Sequence, residues 1–154
     1  ANNVRPDDGV IALYSARGSE MDLSILAIQL GARGFQVVYP IVTGPGQMGF
    51  YRVVDGWRRQ RSETPARNPL EPVTAEQLDG YEEVRPQDIA VIVTPGIAFD
   101  AQCYRLGFGG GFYDRYLQRA PRSVRAYGVG FSVQMTEGVP VKPHDRRLDA
   151  VVVP

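Results

Sequence analysis

Short, continuous apolar runs spaced by helix-length segments predict an α/β protein: a mostly parallel sheet covered by helices on both faces, a three-layer arrangement. Three observations carry this. Residues 10–14 (Val-Ile-Ala-Leu-Tyr) and 89–94 (Ile-Ala-Val-Ile-Val-Thr) lack polar alternation, as strands buried on both faces do. Residues 10–42 read strand, helix, strand, which is a βαβ unit. Four glycines fall within the five positions 107–111 and are followed at once by helical spacing at Phe112, Tyr113, Tyr116 and Leu117.

In order along the chain, residues 10–14 form the first strand. Ser19-Glu20-Met21-Asp22 has the Ser-x-x-Asp shape of a helix cap. Leu23, Leu26, Ile28 and Leu30 are expected to form the apolar face of the helix that follows, and Gly34 is its natural stop. Residues 35–42 form the second strand. Gly44-Pro45-Gly46 is a turn, and residues 48–54 are an edge strand or half of a hairpin. Residues 58–72 are polar and contain prolines, so they are expected to be a surface loop. Residues 89–94 form the clearest strand, ending in the apolar loop 95–100. Residues 127–131 and 150–153 supply two more. Five such strands with helical crossovers put ligands beyond the strands' carboxyl ends, so Glu20, residues 95–100, 107–114 and 132–134 are expected to converge on one cleft.

With 154 residues and no repeats or linker, one domain is expected. Seventeen basic residues balance seventeen acidic ones, so no global field favours nucleic acid or an anionic membrane. Arg58, Arg59 and Arg61 are the densest basic cluster, but no stacking aromatics interleave them. Cys103 is the single cysteine, so no internal disulfide is possible, which fits a reducing, cytoplasmic location. No apolar run reaches the length of a membrane span.

The chemistry is concentrated at residues 105–117, Arg-Leu-Gly-Phe-Gly-Gly-Gly-Phe-Tyr-Asp-Arg-Tyr-Leu. Glycines let backbone amides approach a ligand, and a helix start adds unpaired N–H groups and partial positive charge. Such a junction suits phosphate. Arg105 stands before the loop, placed to hold a phosphate oxygen. Asp114 stands after it, where a carboxylate suits Mg²⁺, and Asp145 of the His144-Asp145 pair is a second carboxylate for the ion. The stretch is neither a Walker loop, which needs Lys-Ser or Lys-Thr after its last glycine, nor a dinucleotide fingerprint, since Phe112 stands where its third glycine would fall. Glu20 either satisfies a helix dipole or pairs with N–H donors of a pterin-like or purine-like ring. Phe50, Phe99, Phe108, Phe112 and Tyr113 are candidates to wall a ring-binding pocket, or core residues. No Ser-His-Asp or Cys-His order suggests covalent catalysis, and no ligand cluster suggests zinc. A kinase-like or ligase-like chemistry remains.

These residues resemble the signature of the 5-formyltetrahydrofolate cyclo-ligase family. Arg105 to Arg115 carry the specific part. Glu20-Met21-Asp22, Met48-Gly49-Phe50, Leu70-Glu71-Pro72, residues 95–100, residues 128–134 and His144-Asp145 follow in the family's order, over nearly the whole chain. The resemblance implies a single-domain, Rossmann-like three-layer α/β/α sheet. It also implies ATP- and Mg²⁺-dependent closure of 5-formyltetrahydrofolate to 5,10-methenyltetrahydrofolate, in which the formyl oxygen takes the γ-phosphoryl group and N10 then displaces phosphate. Carried over, Arg105, Leu106, Gly107, Phe108, Gly109, Gly110, Gly111, Phe112 and Tyr113 would hold ATP, with Arg105 and Tyr113 catalytic. Ser15, Glu20, Phe50 and Phe99 would bind the folate, and Asp114 and Asp145 would hold Mg²⁺. A monomer is expected.

Three departures qualify the expectation. Family members begin with a helix whose Lys and Arg reach the ATP phosphates, and nothing like it precedes Val4-Arg5, so weaker ATP binding is expected, by ~1.5–3 kcal/mol per lost charged hydrogen bond. Phe112 stands where Tyr is common, and Leu23 where Thr is usual. The alternatives are a catalytically silent look-alike that binds nucleotide or folate, and a sugar-phosphate isomerase using Glu20, Asp100 or His144 as base.

Overall fold

The computed structural model describes residues 4–54 and 72–154. Among them, a seven-stranded sheet is built from β1 (Val10–Ala12), β2 (Val37–Gly44), β3 (Gln47–Val53), β4 (Tyr81–Val84), β5 (Ile89–Thr94), β8 (Arg125–Val129) and β10 (Ala150–Val152), in the order β10-β8-β5-β1-β2-β3-β4. The first five strands in that order are parallel, and β2-β3-β4 are antiparallel. The five predicted strands are thus all present, with no end shifted by more than two residues. The segment left open between edge strand and hairpin is the second arm of a hairpin, β3. It lies inside the sheet because the polar strand β4 pairs along its outer side. A second, three-stranded sheet not foreseen joins β6 (Ala98–Asp100), β7 (Arg105–Leu106) and β9 (Met135–Thr136).

The helices α1 (Ser24–Ala32) and α2 (Phe112–Arg119) cover opposite faces of the main sheet. Under α2, Phe50, Ile92, Tyr116, Leu117, Val124 and Leu148 form the larger core; under α1, Ile11, Leu13, Tyr14, Leu23, Val91 and Val93 form the smaller. Strand alternation sends Ile92 to one core and Val91 and Val93 to the other, so β5 is apolar throughout. The three-layer α/β reading therefore holds. Residues 58–71 of the expected surface loop, with the Leu70-Glu71 pair, lie outside the described residues.

Helix α1 departs from expectation in two ways. Ser19 does not cap it. Asp22 accepts from both the amide (2.9 Å) and the hydroxyl (2.5 Å) of Ser24, and the helix starts only there. Residues 17–20 instead form a separate turn, closed by Glu20 N to Arg17 O and Arg17 N to Glu20 Oε2, both 2.9 Å. The buried face is Leu23, Ala27 and Leu30, at helical spacings of four and three, whereas Ile28 is 71% exposed and Leu26 lies at the margin.

Candidate nucleotide and folate site

The chain enters the sheet at its centre. From β1 it moves to β2 on one side, and from β5 it moves to β8 on the other, so the loops after β1 and β5 leave in opposite directions. This is the switch point at which doubly wound sheets open a crevice. A cavity of about 390 Å³ occupies it. Tyr14, Ser15, Arg17 and Glu20 line it from the loop after β1, Pro40, Val42 and Met48 from the β2–β3 hairpin, Pro95 from the end of β5, and Arg105, Gly107, Phe108 and residues 110–113 from the glycine stretch.

The glycine loop passes directly into α2. Gly111 stands at the helix's N-cap with φ 66°, ψ 13°, a left-handed conformation that glycine adopts without strain, and no side chain caps the helix. The first-turn amides are left for another acceptor, with the positive end of the helix dipole behind them. Arg105 is packed to 5% side-chain exposure. Its Nη1 donates to Pro95 O (2.8 Å), its Nη2 to Asp114 Oδ1 (3.1 Å), and its guanidinium lies over the Tyr113 ring at 5.2 Å. Its Nε is buried with no partner, and so is the Tyr113 hydroxyl. The Tyr116 hydroxyl, in the core under α2, is a third such group, and each is costly to the fold.

Electrostatics assign the protonation states. Burial pushes the Tyr113 phenol far above its ordinary range, with Arg105 opposing and Glu20 and Tyr14 adding to the rise. Tyr113 is therefore a neutral donor at neutral pH, not a base. Tyr14 is pushed up to about 12 by burial and by the nearby Glu20 and Asp22 carboxylates, and its hydroxyl donates to Met21 O at 3.0 Å. Glu20 is raised by burial, against the Arg17 amide and charge that favour its ionised form.

The expected residues sort into three groups. Ser15, Glu20, Arg105, Gly107, Phe108, Gly110, Gly111, Phe112 and Tyr113 meet at the cavity. Leu106 and Gly109 belong to the same stretch but do not line it; Leu106 is paired in β7, where its carbonyl accepts from Ile97 N at 2.8 Å. Phe50 and Phe99, expected on the wall, are fully buried beneath it. Phe50 packs edge-on to Tyr116 at 4.9 Å and backs Tyr113 at 6.4 Å. Phe99 fills a slot left by glycines: a Cβ on Gly96, Gly128 or Gly130 would come within 2.5–2.9 Å of its ring. The expected Ser132 to Gln134 segment acts from behind the site, since Gln134 Nε2 donates to Gly96 O at 2.7 Å. Sequence reasoning missed Tyr14, Arg17, Pro40, Val42 and Met48 as wall residues. Their signal was position near the carboxyl end of β1 or in the adjoining hairpin, and for Met48 also its place in the Met48-Gly49-Phe50 segment.

Asp114 and Asp145 lie outside the cavity lining, and no group of three His, Cys, Asp or Glu side chains suited to a metal occurs among the described residues. Mg²⁺ bound with a nucleotide needs only one or two carboxylates beside the phosphates, and Asp114, joined to the cavity-lining Arg105, could supply one. Asp114 is 38% exposed and tied to Arg105, and Asp145 accepts from Lys142 N at 2.8 Å. Of the bases an isomerase would need, Asp100 is buried and accepts three backbone amides (Gln102, Tyr104 and Val139), and His144 is exposed away from the cavity; only Glu20 lines it.

The pattern that defines the 5-formyltetrahydrofolate cyclo-ligase family matches residues 4–154. The 5-formyltetrahydrofolate cyclo-ligase of Escherichia coli K12 is 31% identical over 147 residues, spanning 94% of this chain and 77% of that protein. Two solved 5,10-methenyltetrahydrofolate synthetases share the fold. That of Mycoplasma pneumoniae has a TM-score of 0.69 at 25% identity, over 95% of this chain and 73% of that one. That of Aquifex aeolicus has a TM-score of 0.65 at 30% identity, over 96% and 70%. A cavity at the sheet's switch point, bounded by a glycine loop that starts a helix, thus sits on a sequence and a fold that agree: the chain belongs to the 5-formyltetrahydrofolate cyclo-ligase family.

Proposed function

We propose that this chain closes 5-formyltetrahydrofolate to 5,10-methenyltetrahydrofolate at the expense of ATP, in the cytoplasm and as a monomer. The observation that carries the reading is the cavity at the sheet's switch point, walled by Arg105 and by the glycine loop that opens α2 at Gly111 with no side-chain cap. The formyl oxygen attacks the γ-phosphorus, the P–O bond to ADP breaks, and the oxygen becomes a phosphate leaving group. N10 then attacks the activated carbon, the C–O bond breaks to release phosphate, and N10 loses its proton. The protein's part is positioning and charge stabilisation.

In this reading the glycine amides and the start of α2 hold the phosphates. Arg105 neutralises charge building on the transferred group, and Tyr113 stays protonated and donates a hydrogen bond to an oxygen of that group or of the formyl. Glu20 and Ser15 bind the pterin where the loop after β1 lines the same cavity, with Tyr14 and Met48 as apolar wall. Phe50 acts through Tyr113 and Phe99 through the Gly96 loop. Asp114 and Asp145 would hold Mg²⁺, which screens triphosphate charge when bound.

The test mixes protein, Mg²⁺, ATP and 5-formyltetrahydrofolate and follows the methenyl-folate absorbance band. An ATP-dependent rise, lost in Asp114→Asn, supports the reaction and the metal assignment. Nucleotide or folate binding without any rise assigns the chain to the silent look-alike. A rise that does not need ATP refutes the mechanism.

A further inference from the structure

Arg115 follows the glycine loop by one helical turn and takes no place in the cavity lining. Its Nε donates to Gly46 O at 3.0 Å, in the turn between β2 and β3, and its Nη2 donates to Gly110 O. The same guanidinium lies over the Phe112 ring at 5.5 Å. It occupies space that two glycines leave: a Cβ on Gly111 would stand 2.7 Å from Nη1, and one on Gly46 would stand 3.2 Å from the guanidinium. Both glycines have positive φ. One side chain, 69 residues from Gly46 along the chain, thus joins the hairpin that carries Pro40, Val42 and Met48 to the loop that carries Gly107 to Phe112.

We propose that Arg115 is a positioning residue that fixes the distance between these two walls, and thereby the width of the nucleotide slot. The geometry requires arginine. A planar fork spans two carbonyls that face it from different elements, whereas an ammonium is a single point donor. With the clasp intact, the glycine amides are ordered before the triphosphate arrives; without it, ordering them falls to the ligand. The slot's identity as an ATP site rests on the proposed function; the clasp itself does not.

The experiment therefore has two readouts on the full chain. Backbone order parameters at Gly46 and Gly109 to Gly111 are measured by NMR in the wild type, Arg115→Ala, Arg115→Lys and Arg119→Ala. Arg119, one turn further on, bonds Met48 O (2.5 Å) and lies over the Tyr116 ring, and controls for general loosening of α2. In Arg115→Ala, both segments are expected to fall together from about 0.85 toward 0.6, with Arg115→Lys restoring little. Arg119→Ala lowers the melting temperature but leaves the loop ordered. In the cyclisation assay, Arg115→Ala raises the KM for ATP about tenfold with kcat changed far less. Unchanged order in Arg115→Ala, or an equal loss in Arg119→Ala, overturns the clasp. Loosened segments with an unchanged KM overturn its role in setting the slot. A wild type with no ATP-dependent turnover sinks the proposed function, and the order parameters then decide the clasp alone.

Discussion

Replacing Tyr113 by Phe separates what this residue does for the fold from what it does for the ligand. Its hydroxyl is buried and without a partner, and burial keeps the phenol protonated. An unsatisfied buried hydroxyl costs about 1–3 kcal/mol, and removing it leaves a small void that takes back part of that, so a net gain of about 1 kcal/mol is expected. In a domain of this size that raises the ligand-free melting temperature by about 2–4 °C. The same hydroxyl, bonded to a phosphoryl or formyl oxygen, would contribute about 1.5–3 kcal/mol, so kcat/KM for cyclisation falls about 10- to 150-fold. Calorimetry of the free protein and initial rates from methenyl absorbance measure the two halves. A variant that is both less stable and equally active would refute the reasoning, because the hydroxyl would then be satisfied within the fold and idle in the reaction.

Other substitutions test the remaining parts of the site. Gly111→Ala places an L side chain at φ 66° and its Cβ 2.7 Å from Arg115 Nη1, so it costs about 1–2 kcal/mol in backbone strain alone and lowers the melting temperature by roughly 2–8 °C, read by thermal unfolding. Phe99→Ala empties the slot between three glycines and costs about 3–5 kcal/mol, a fall of roughly 6–20 °C, whereas the milder Phe99→Leu should leave the KM for folate within about twofold, since the ring does not reach the cavity. Glu20→Gln tests linkage. The folded carboxyl is raised above its ordinary 4.5, so the wild type's contribution is favourable below that value and is lost as pH rises through the raised value. The melting-temperature difference, variant minus wild type, should therefore grow between pH 4.5 and 7, while folate binding weakens.

How much of this was legible depends on what each residue's neighbours are. The parallel strands were, because burial on both faces writes itself as an unbroken apolar run, as at Ile89 to Thr94. Strand β4 was not: Tyr-Glu-Glu-Val is a polar sequence, and it becomes a strand by pairing with β3, through contacts such as the Arg52–Glu82 ion pair at 2.8 Å. The start of α1 was misplaced because Ser19 and Asp22 both have capping chemistry, and only the turn closed by Glu20 decides against Ser19. The glycine loop and its helix were legible because glycine density and helical spacing are both local. The sides taken by Phe50 and Phe99 were not. An aromatic ring facing a cavity and one facing a core look alike in sequence, and what holds Phe99 inward is Gly128 and Gly130, distant along the chain. The clasp of Arg115 on Gly46 is beyond any local pattern for the same reason.

Arg105 unites these levels. Its guanidinium is held on two edges, by Pro95 O and Asp114 Oδ1, and on one face by Tyr113. Little side-chain freedom is therefore left to lose when an anion arrives, which saves about 0.5–1.5 kcal/mol of the cost of binding. The edge left over, Nε, has no partner in the fold. A guanidinium held in place before the ligand arrives favours binding to the folded chain, so ligand affinity and ligand-induced stabilisation should rise and fall together. A lysine at this position could not reproduce the arrangement, because one ammonium lacks the planar fork that bonds Pro95 O and Asp114 Oδ1 from two fixed nitrogens. Arg105→Lys should thus keep the charge and the fold while losing most of the ATP-induced rise in melting temperature. An undiminished rise would mean that charge alone, and not the oriented fork, holds the phosphate.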